Sequence, residues 1–206
     1  MADDLVDALR ADDDPGIARA AERAGGLIAP AAERAGLVDV AYATVDSPLG
    51  PLLVAGTGEG LVTLAYLETA SLDDRLTRLA ATLSPRILEM PARLDRERRE
   101  LDEYFADRRR GFDLPIDWSL IRGFARAVLE STAAIPFGEA RTYAQIAAAA
   151  GSPRGSRAAG NALGGNPIPI VIPCHRVMRA GGAIGGYTGG IDRKRYLLAL
   201  ESGAPA

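Results

Sequence analysis

An α+β chain built from two unlike halves is what this sequence predicts, on three observations. Runs of strand length, β-branched or apolar, are confined to about residues 40–67. Apolar residues at three- and four-residue spacing instead dominate about 121–163. Charge divides the same way: residues 1–118 hold 14 basic and 23 acidic side chains, net −9, and residues 119–206 hold 10 basic and 4 acidic, net +6. A +6 segment joined to a −9 segment reads as a polyanion-binding module on an acidic partner domain. The boundaries that follow are a helical extension over 1–38, an α+β domain with a small antiparallel sheet over 39–115, and a mostly helical domain over 119–206.

The extension is rich in Ala, Asp and Glu. Ala20–Gly25 recurs as Ala31–Gly36, eleven residues on, but two copies are too few for a repeat architecture and short surface helices are expected. Val40–Val45, Leu52–Ala55 and Leu61–Leu67 form a meander separated by turns at Ser47–Gly50 and Gly56–Gly60. Helices follow at about 71–83 and 94–107, the second with Leu94, Leu101 and Phe105 on its apolar side. Arg108–Arg110 reads as a solvated helix end and Phe112–Pro115 as a linker. Ile121, Phe124, Ala125, Val128, Leu129 and Thr132 then mark one helix, and Tyr143, Ile146, Ala147 and Ala150 a second, stopped by Gly151. Ser152 as N-cap with Pro153 at the first helical position starts a third over about 153–163. The last two helices form a helix-turn-helix candidate, with Arg154 and Arg157 on its second helix's first turns, where a DNA-reading helix makes its contacts.

Hydrophobic content of 48% and charged content of 25% describe an ordinary globular protein. No apolar run approaches twenty residues and the start is acidic, unlike a secretory signal, so no membrane association is expected. A single cysteine fits a reducing cytoplasm, and one cysteine with one histidine cannot make the usual four-ligand zinc site of sulfur and nitrogen donors. No metal or other cofactor is expected.

That cysteine and that histidine are neighbours, in Ile172-Pro173-Cys174-His175-Arg176-Val177. Free cysteines are among the most buried residues, which by itself favours an inert thiol. Here the next residue is the one side chain that titrates near neutrality, and prolines restrict the backbone presenting the pair. The segment is the candidate centre of chemistry.

Asn166-Pro167-Ile168-Pro169-Ile170-Val171-Ile172-Pro173-Cys174-His175-Arg176-Val177, followed by Gly185–Gly190 and Glu201, closely resembles the O6-alkylguanine-DNA alkyltransferases, also called methylated-DNA–protein-cysteine methyltransferases. The likeness includes Ile135–Tyr143 and the helix holding Arg157; it covers about 119–202 in motif and 40–118 in element order alone. It implies a ribonuclease-H-like first domain and single-turnover, irreversible transfer of an alkyl group from O6-alkylguanine in duplex DNA to Cys174, with O4-alkylthymine as a further substrate. The protein would act as a monomer, with room for cooperative assembly on DNA.

The resemblance also assigns roles. His175 takes the thiol proton through a bridging water, Glu201 orients the imidazole, Asn166 braces the turn, and Tyr143 donates its hydroxyl to the expelled guanine. A soft thiolate suits displacement at carbon, and a nucleophile, base and orienting acid then stand at positions 174, 175 and 201. Pro169, Val177, Tyr187 and Thr188 would line the base pocket. Arg157 would fill the stack vacated by a base rotated out from the minor-groove side, because O6 of a stacked guanine is beyond reach of a buried thiol. Arg154, Ser156, Thr142 and Arg126 are the other expected DNA contacts. Members often carry Gln after the first helix's Phe and Trp five residues after it, where this chain has Ala125 and Leu129. Three rivals stand beside this reading: a non-catalytic lesion-binding protein of the same fold, which Cys174 opposes; a Cys-His hydrolase, which the adjacency of the pair opposes; and a transcription regulator, for which no effector domain is evident.

Overall fold

Short-range sequence signals set most elements, and packing sets the rest. The computed structural model describes residues 31–203, so the expected helices within 1–30, including the Ala20–Gly25 copy, lie outside the described residues. The chain divides into a unit up to Asp39 and a unit from Val40 onward. The described part of the first is a helical turn at 31–34, ended by Gly36 in the left-handed region at φ 64°. Gly36 N–H donates to Glu33 C=O and Leu37 N–H to Ala32 C=O, the paired bonds of a glycine-terminated helix.

The second unit opens with β1 (Val40–Val45), β2 (Leu52–Thr57) and β3 (Gly60–Tyr66), paired antiparallel as expected. Ser47 shapes the first turn, its Oγ donating to Gly50 C=O and accepting from Leu49 N–H. Helix α1 (Leu72–Thr82) starts at Ser71, whose Oγ accepts from Asp74 N–H, and Asp73 and Asp74 complement its N-terminal dipole. Its Leu79 packs into a cluster with Val40, Leu53, Ala55, Val62 and Ala65. On the opposite face Leu94 reaches Gly56. With both faces covered, β2 and β3 read as near-continuous apolar runs.

The sheet is not purely antiparallel. A short β4 (Ile87–Glu89) joins β1 in parallel, giving the order β3-β2-β1-β4. Three residues behind Pro85 are too few to show a two-residue period, so pairing with β1 alone makes them a strand. A 3₁₀ turn (Pro91–Leu94) leads into α2 (Asp95–Phe105), which buries Leu101 and Tyr104. Two further expectations are corrected here. Arg109 is not a solvated helix end, because its guanidinium meets Glu100, Glu103 and Asp113. The Phe112–Pro115 segment is not a free linker: Leu61 N–H donates to Pro115 C=O, Asp117 N–H donates to Leu61 C=O, and Leu114 is buried. The unpaired edge of β3 captures it.

The helical half begins with α3 (Gly123–Ala133), burying Val128, Leu129 and Thr132. Thr142 closes a two-residue β5 (Arg141–Thr142) and caps α4 (Tyr143–Ala149) through a reciprocal capping box with Gln145. Helix α5 (Ser156–Gly164) starts three residues later than Ser152-Pro153 implies. Gly155 N–H bonds Ser152 C=O at 2.8 Å, so Pro153 and Arg154 form a turn and Arg154 precedes the helix. Cys174–Arg176 is a 3₁₀ turn, β6 (Val177–Met178) pairs with β5, and α6 (Ile191–Ser202) ends at Gly203 in the left-handed region. Among the described residues no helix is long and apolar enough to cross a membrane.

Candidate active site

The segment from Asn166 to Arg176 holds its shape through one amide side chain. Asn166 Nδ2 donates to Ile172 C=O at 2.9 Å and to Cys174 Sγ at 3.2 Å, while its Oδ1 accepts from Ile168 N–H at 3.0 Å. Between these bonds Ile170, fully buried, adopts φ 74°. A β-branched residue in the left-handed region stores about 1–3 kcal/mol, so the surrounding structure must over-determine it. The Asn166 bonds and a turn closed by Ile172 N–H to Ile168 C=O do so. The turn thus presents Cys174 at a fixed place, 6% exposed.

Behind the thiol lies a buried polar network. His175, with no exposure, has Nε2 2.8 Å from Glu201 Oε1. Burial pushes the imidazole below its ordinary pKa, with the Glu201 contact opposing. Neutral His175 therefore donates from Nε2 to the carboxylate, which leaves Nδ1 as the acceptor; that atom is buried and has no partner. Burial alone would raise Glu201, but hydrogen bonds from His175 and Arg176 hold its carboxyl at about 2. Arg176 reaches both Glu201 oxygens at 2.8 Å and also donates to Ile135 C=O, and Tyr104 Oη donates to Glu201 Oε1 at 2.7 Å. Gly138, at φ 74°, brings its N–H within 3.4 Å of Glu201 Oε2. Burial likewise pushes the Cys174 thiol up, while the Asn166 hydrogen bond and the Lys194 charge pull it down. Lys194, fully buried, is fixed by a 2.6 Å bond from Nζ to Val177 C=O. The resting pair is thus neutral thiol beside neutral imidazole.

A cavity of about 640 Å³ opens over Cys174, with Tyr143, Ser156, Arg157, Arg179, Tyr187 and Thr188 among its walls. Burial and the nearby thiol raise the Tyr143 hydroxyl, keeping it a proton donor at neutral pH. Of the residues picked from sequence, Cys174, His175, Glu201 and Asn166 form one network, and Tyr143, Tyr187, Thr188, Ser156 and Arg157 surround the cavity above it. Others fall elsewhere. Val177 has no exposure, and Pro169 lines a separate cavity of about 310 Å³. Thr142 is a helix cap, Arg154 is exposed on the turn before α5, and Arg126 pairs with Glu130 and stacks on Trp118 at 5.5 Å. Sequence reading passed over Arg176, Tyr104, Lys194 and Tyr66. Arg176 stands inside the Pro173–Val177 string and Lys194 is the sole lysine of the chain, whereas Tyr104 and Tyr66 carry no such signal.

A strained turn that offers one thiol to a ligand-sized cavity, with a buried His–Glu pair behind it, has the layout of a cysteine-nucleophile site on an α+β scaffold. Residues 40–118 match the family described as 6-O-methylguanine DNA methyltransferase, ribonuclease-like domain, and residues 123–203 its DNA binding domain. The chain is 42% identical over 168 residues to the methylated-DNA–protein-cysteine methyltransferase of Mycobacterium tuberculosis, covering 80% of this chain and 94% of the relative. It is 37% identical over 161 residues to the constitutive enzyme of Bacillus subtilis, covering 78% and 94%. The crystal structure of the M. tuberculosis O6-methylguanine methyltransferase aligns over 81% of this chain and 96% of its own, at 41% identity and TM-score 0.68. A second structure of the M. tuberculosis protein, in complex with DNA, aligns with the same coverage at 40% identity and TM-score 0.68. The chain belongs to the methylated-DNA–protein-cysteine methyltransferase family.

Proposed function

We propose that this protein repairs O6-alkylguanine in duplex DNA by moving the alkyl group onto Cys174. The observation that carries the reading is the cavity: the only thiol of the chain lies in it, with an unpartnered buried imidazole nitrogen on the adjacent residue. His175 Nδ1 takes the Cys174 proton through a bridging water, and Glu201 balances the imidazolium. The thiolate displaces at the alkyl carbon: the S–C bond forms, the C–O6 bond breaks, and the electron pair goes to the purine. Tyr143 meets that charge with its proton, and the proton on His175 passes by way of solvent to the Tyr143 phenolate, so thiol and alkylguanine become thioether and guanine. Nothing in the cavity would hydrolyse a thioether, so each molecule acts once.

Ionisation only on engagement explains why a buried thiol with a raised pKa serves here. A permanent thiolate would react with any electrophile reaching it. Access requires the nucleotide to leave the stack, and Arg157 would occupy the gap; its position on the first turn of α5 at the cavity wall supports this. O4-alkylthymine presents the same alkoxy carbon next to a ring nitrogen and fits the same chemistry. The test is intact-protein mass after mixing with a duplex carrying one O6-methylguanine. One methyl group per molecule, on the peptide holding Cys174 and absent from Cys174→Ala, is expected; sustained turnover with restored thiol would overturn the mechanism.

A further inference from the structure

The cavity has two aromatic walls, held in different ways. Tyr143 is the first residue of α4 and is fixed by that helix. Tyr187 sits in the irregular segment between the 3₁₀ turn at Ala180–Gly182 and α6. Its ring stands edge-on to His175, centroids 6.5 Å apart at 86°, and its hydroxyl lies 2.8 Å from that of Tyr66. Tyr66 belongs to the other half of the molecule, as the last residue of β3, and is 4% exposed.

Tyr66 is itself clamped. The Arg193 guanidinium lies 4.5 Å from its ring centroid. The same guanidinium donates to Leu49 C=O at 3.0 Å and Gly189 C=O at 2.8 Å, and pairs with Glu68. A Cβ on Gly189 would overlap both tyrosine rings, so the loop passes between them only as glycine. The β3 end, the β1–β2 turn and the start of α6 thus converge on one phenol, and that phenol meets Tyr187.

We propose that Tyr66 is a positioning residue for alkyl transfer: through its hydroxyl contact it fixes Tyr187 as the wall beside Cys174, and so sets how large an alkyl group the cavity admits. The inference rests on the alkyl-transfer reading above. Displacement brings the attacked carbon to about 3–3.5 Å from sulfur, so any further atoms of the alkyl group must fit between Sγ and the cavity walls. A wall on an irregular segment moves unless its tip is held, and Tyr66 holds it. The ribonuclease-like half, far from the thiol in sequence, thereby acquires a part in substrate selection.

Tyr66→Phe removes the hydroxyl and keeps the ring, the cation–π contact and the Gly189 packing. Single-turnover rates are measured on duplexes carrying O6-methylguanine and O6-benzylguanine, for wild type, Tyr66→Phe, Tyr187→Phe and the double variant, with melting curves for each. Loss of one neutral hydrogen bond predicts about a three- to tenfold slower methyl transfer. The benzyl-to-methyl rate ratio should rise at least about threefold, because the freed wall yields to bulk. The double variant should be no slower than the slower single variant, since both remove the same contact. An unchanged ratio, or losses that multiply in the double variant, would overturn the proposal. Tyr187→Phe breaks the same contact from the other side, so a poorly folding Tyr66→Phe would not remove the test. If wild type itself takes up no alkyl group, the functional reading fails; normal wild-type alkylation with an unmoved ratio defeats the role of Tyr66 alone.

Discussion

Replacing Glu201 by Gln should separate the chemistry of the site from its stability. The carboxylate accepts from His175, twice from Arg176 and from Tyr104, all at 2.7–2.8 Å, and is 6% exposed. The amide keeps the volume but cannot carry the charge that balances an imidazolium. Positioned general-base catalysis contributes about 10²–10⁴-fold, so transfer should slow by about 10²–10³-fold. Arg176, 5% exposed, is left as a buried cation without its counter-charge, which costs about 3–5 kcal/mol. For a unit of this size that is a fall in Tm of roughly 6–20 °C. The double variant Glu201→Gln/Arg176→Met removes both charges and should regain most of the lost stability while staying slow. Rates come from single-turnover transfer on duplex DNA, stability from thermal melts, and a binding titration on alkylated duplex should show little change. A double variant that regained the wild-type rate would show that Glu201 acts only on the fold. Wild-type transfer in Glu201→Gln alone would remove the residue from the mechanism.

Arg157→Ala should slow repair in duplex DNA far more than transfer from free O6-alkylguanine, because only the duplex target costs a few kcal/mol to unstack; equal losses on both substrates would make Arg157 a pocket support. Stability should fall steadily as the medium is acidified. Glu201, held at about 2 against an ordinary 4.5, contributes stability present above about 4.5 and lost as pH falls through about 2. Burial lowers His175 from 6.5, so below about 6.5 the unfolded chain takes up a proton that the folded one refuses, again losing stability towards acid. Urea midpoints measured downward from about pH 7.5 should therefore decline, and a midpoint rising below pH 6.5 would contradict the neutral assignment of His175.

Much of the scaffold was legible because its signals are local. Val40–Val45 is the same six residues in pattern and in structure, and the spacing of Tyr143, Ile146 and Ala147 marks α4. The start of α5 was misread for a related reason: Ser152-Pro153 is as good a turn as a helix start, and only the Gly155–Ser152 bond decides between them. β4 and the captured segment at 112–118 gave no pattern, since each is ordered by a neighbouring strand's edge.

Cys174 and His175 stand out in the chain because they are covalent neighbours directly after Pro173, and no fold is needed to bring one to the other. Everything that sets their protonation came from tertiary structure. Glu201, 26 residues from His175, is singled out in the sequence only by the family resemblance; α6 brings its carboxylate to the imidazole. Tyr104 reads as a helix aromatic and Tyr66 as a strand aromatic, and neither the string around Arg176 nor the lone Lys194 says what those side chains meet. A side chain's identity and its sequence neighbours are properties of the covalent chain. Its desolvation and its partner depend on which distant segment packs over it, and those two quantities set the protonation of the buried Cys174 thiol on which the proposed transfer depends.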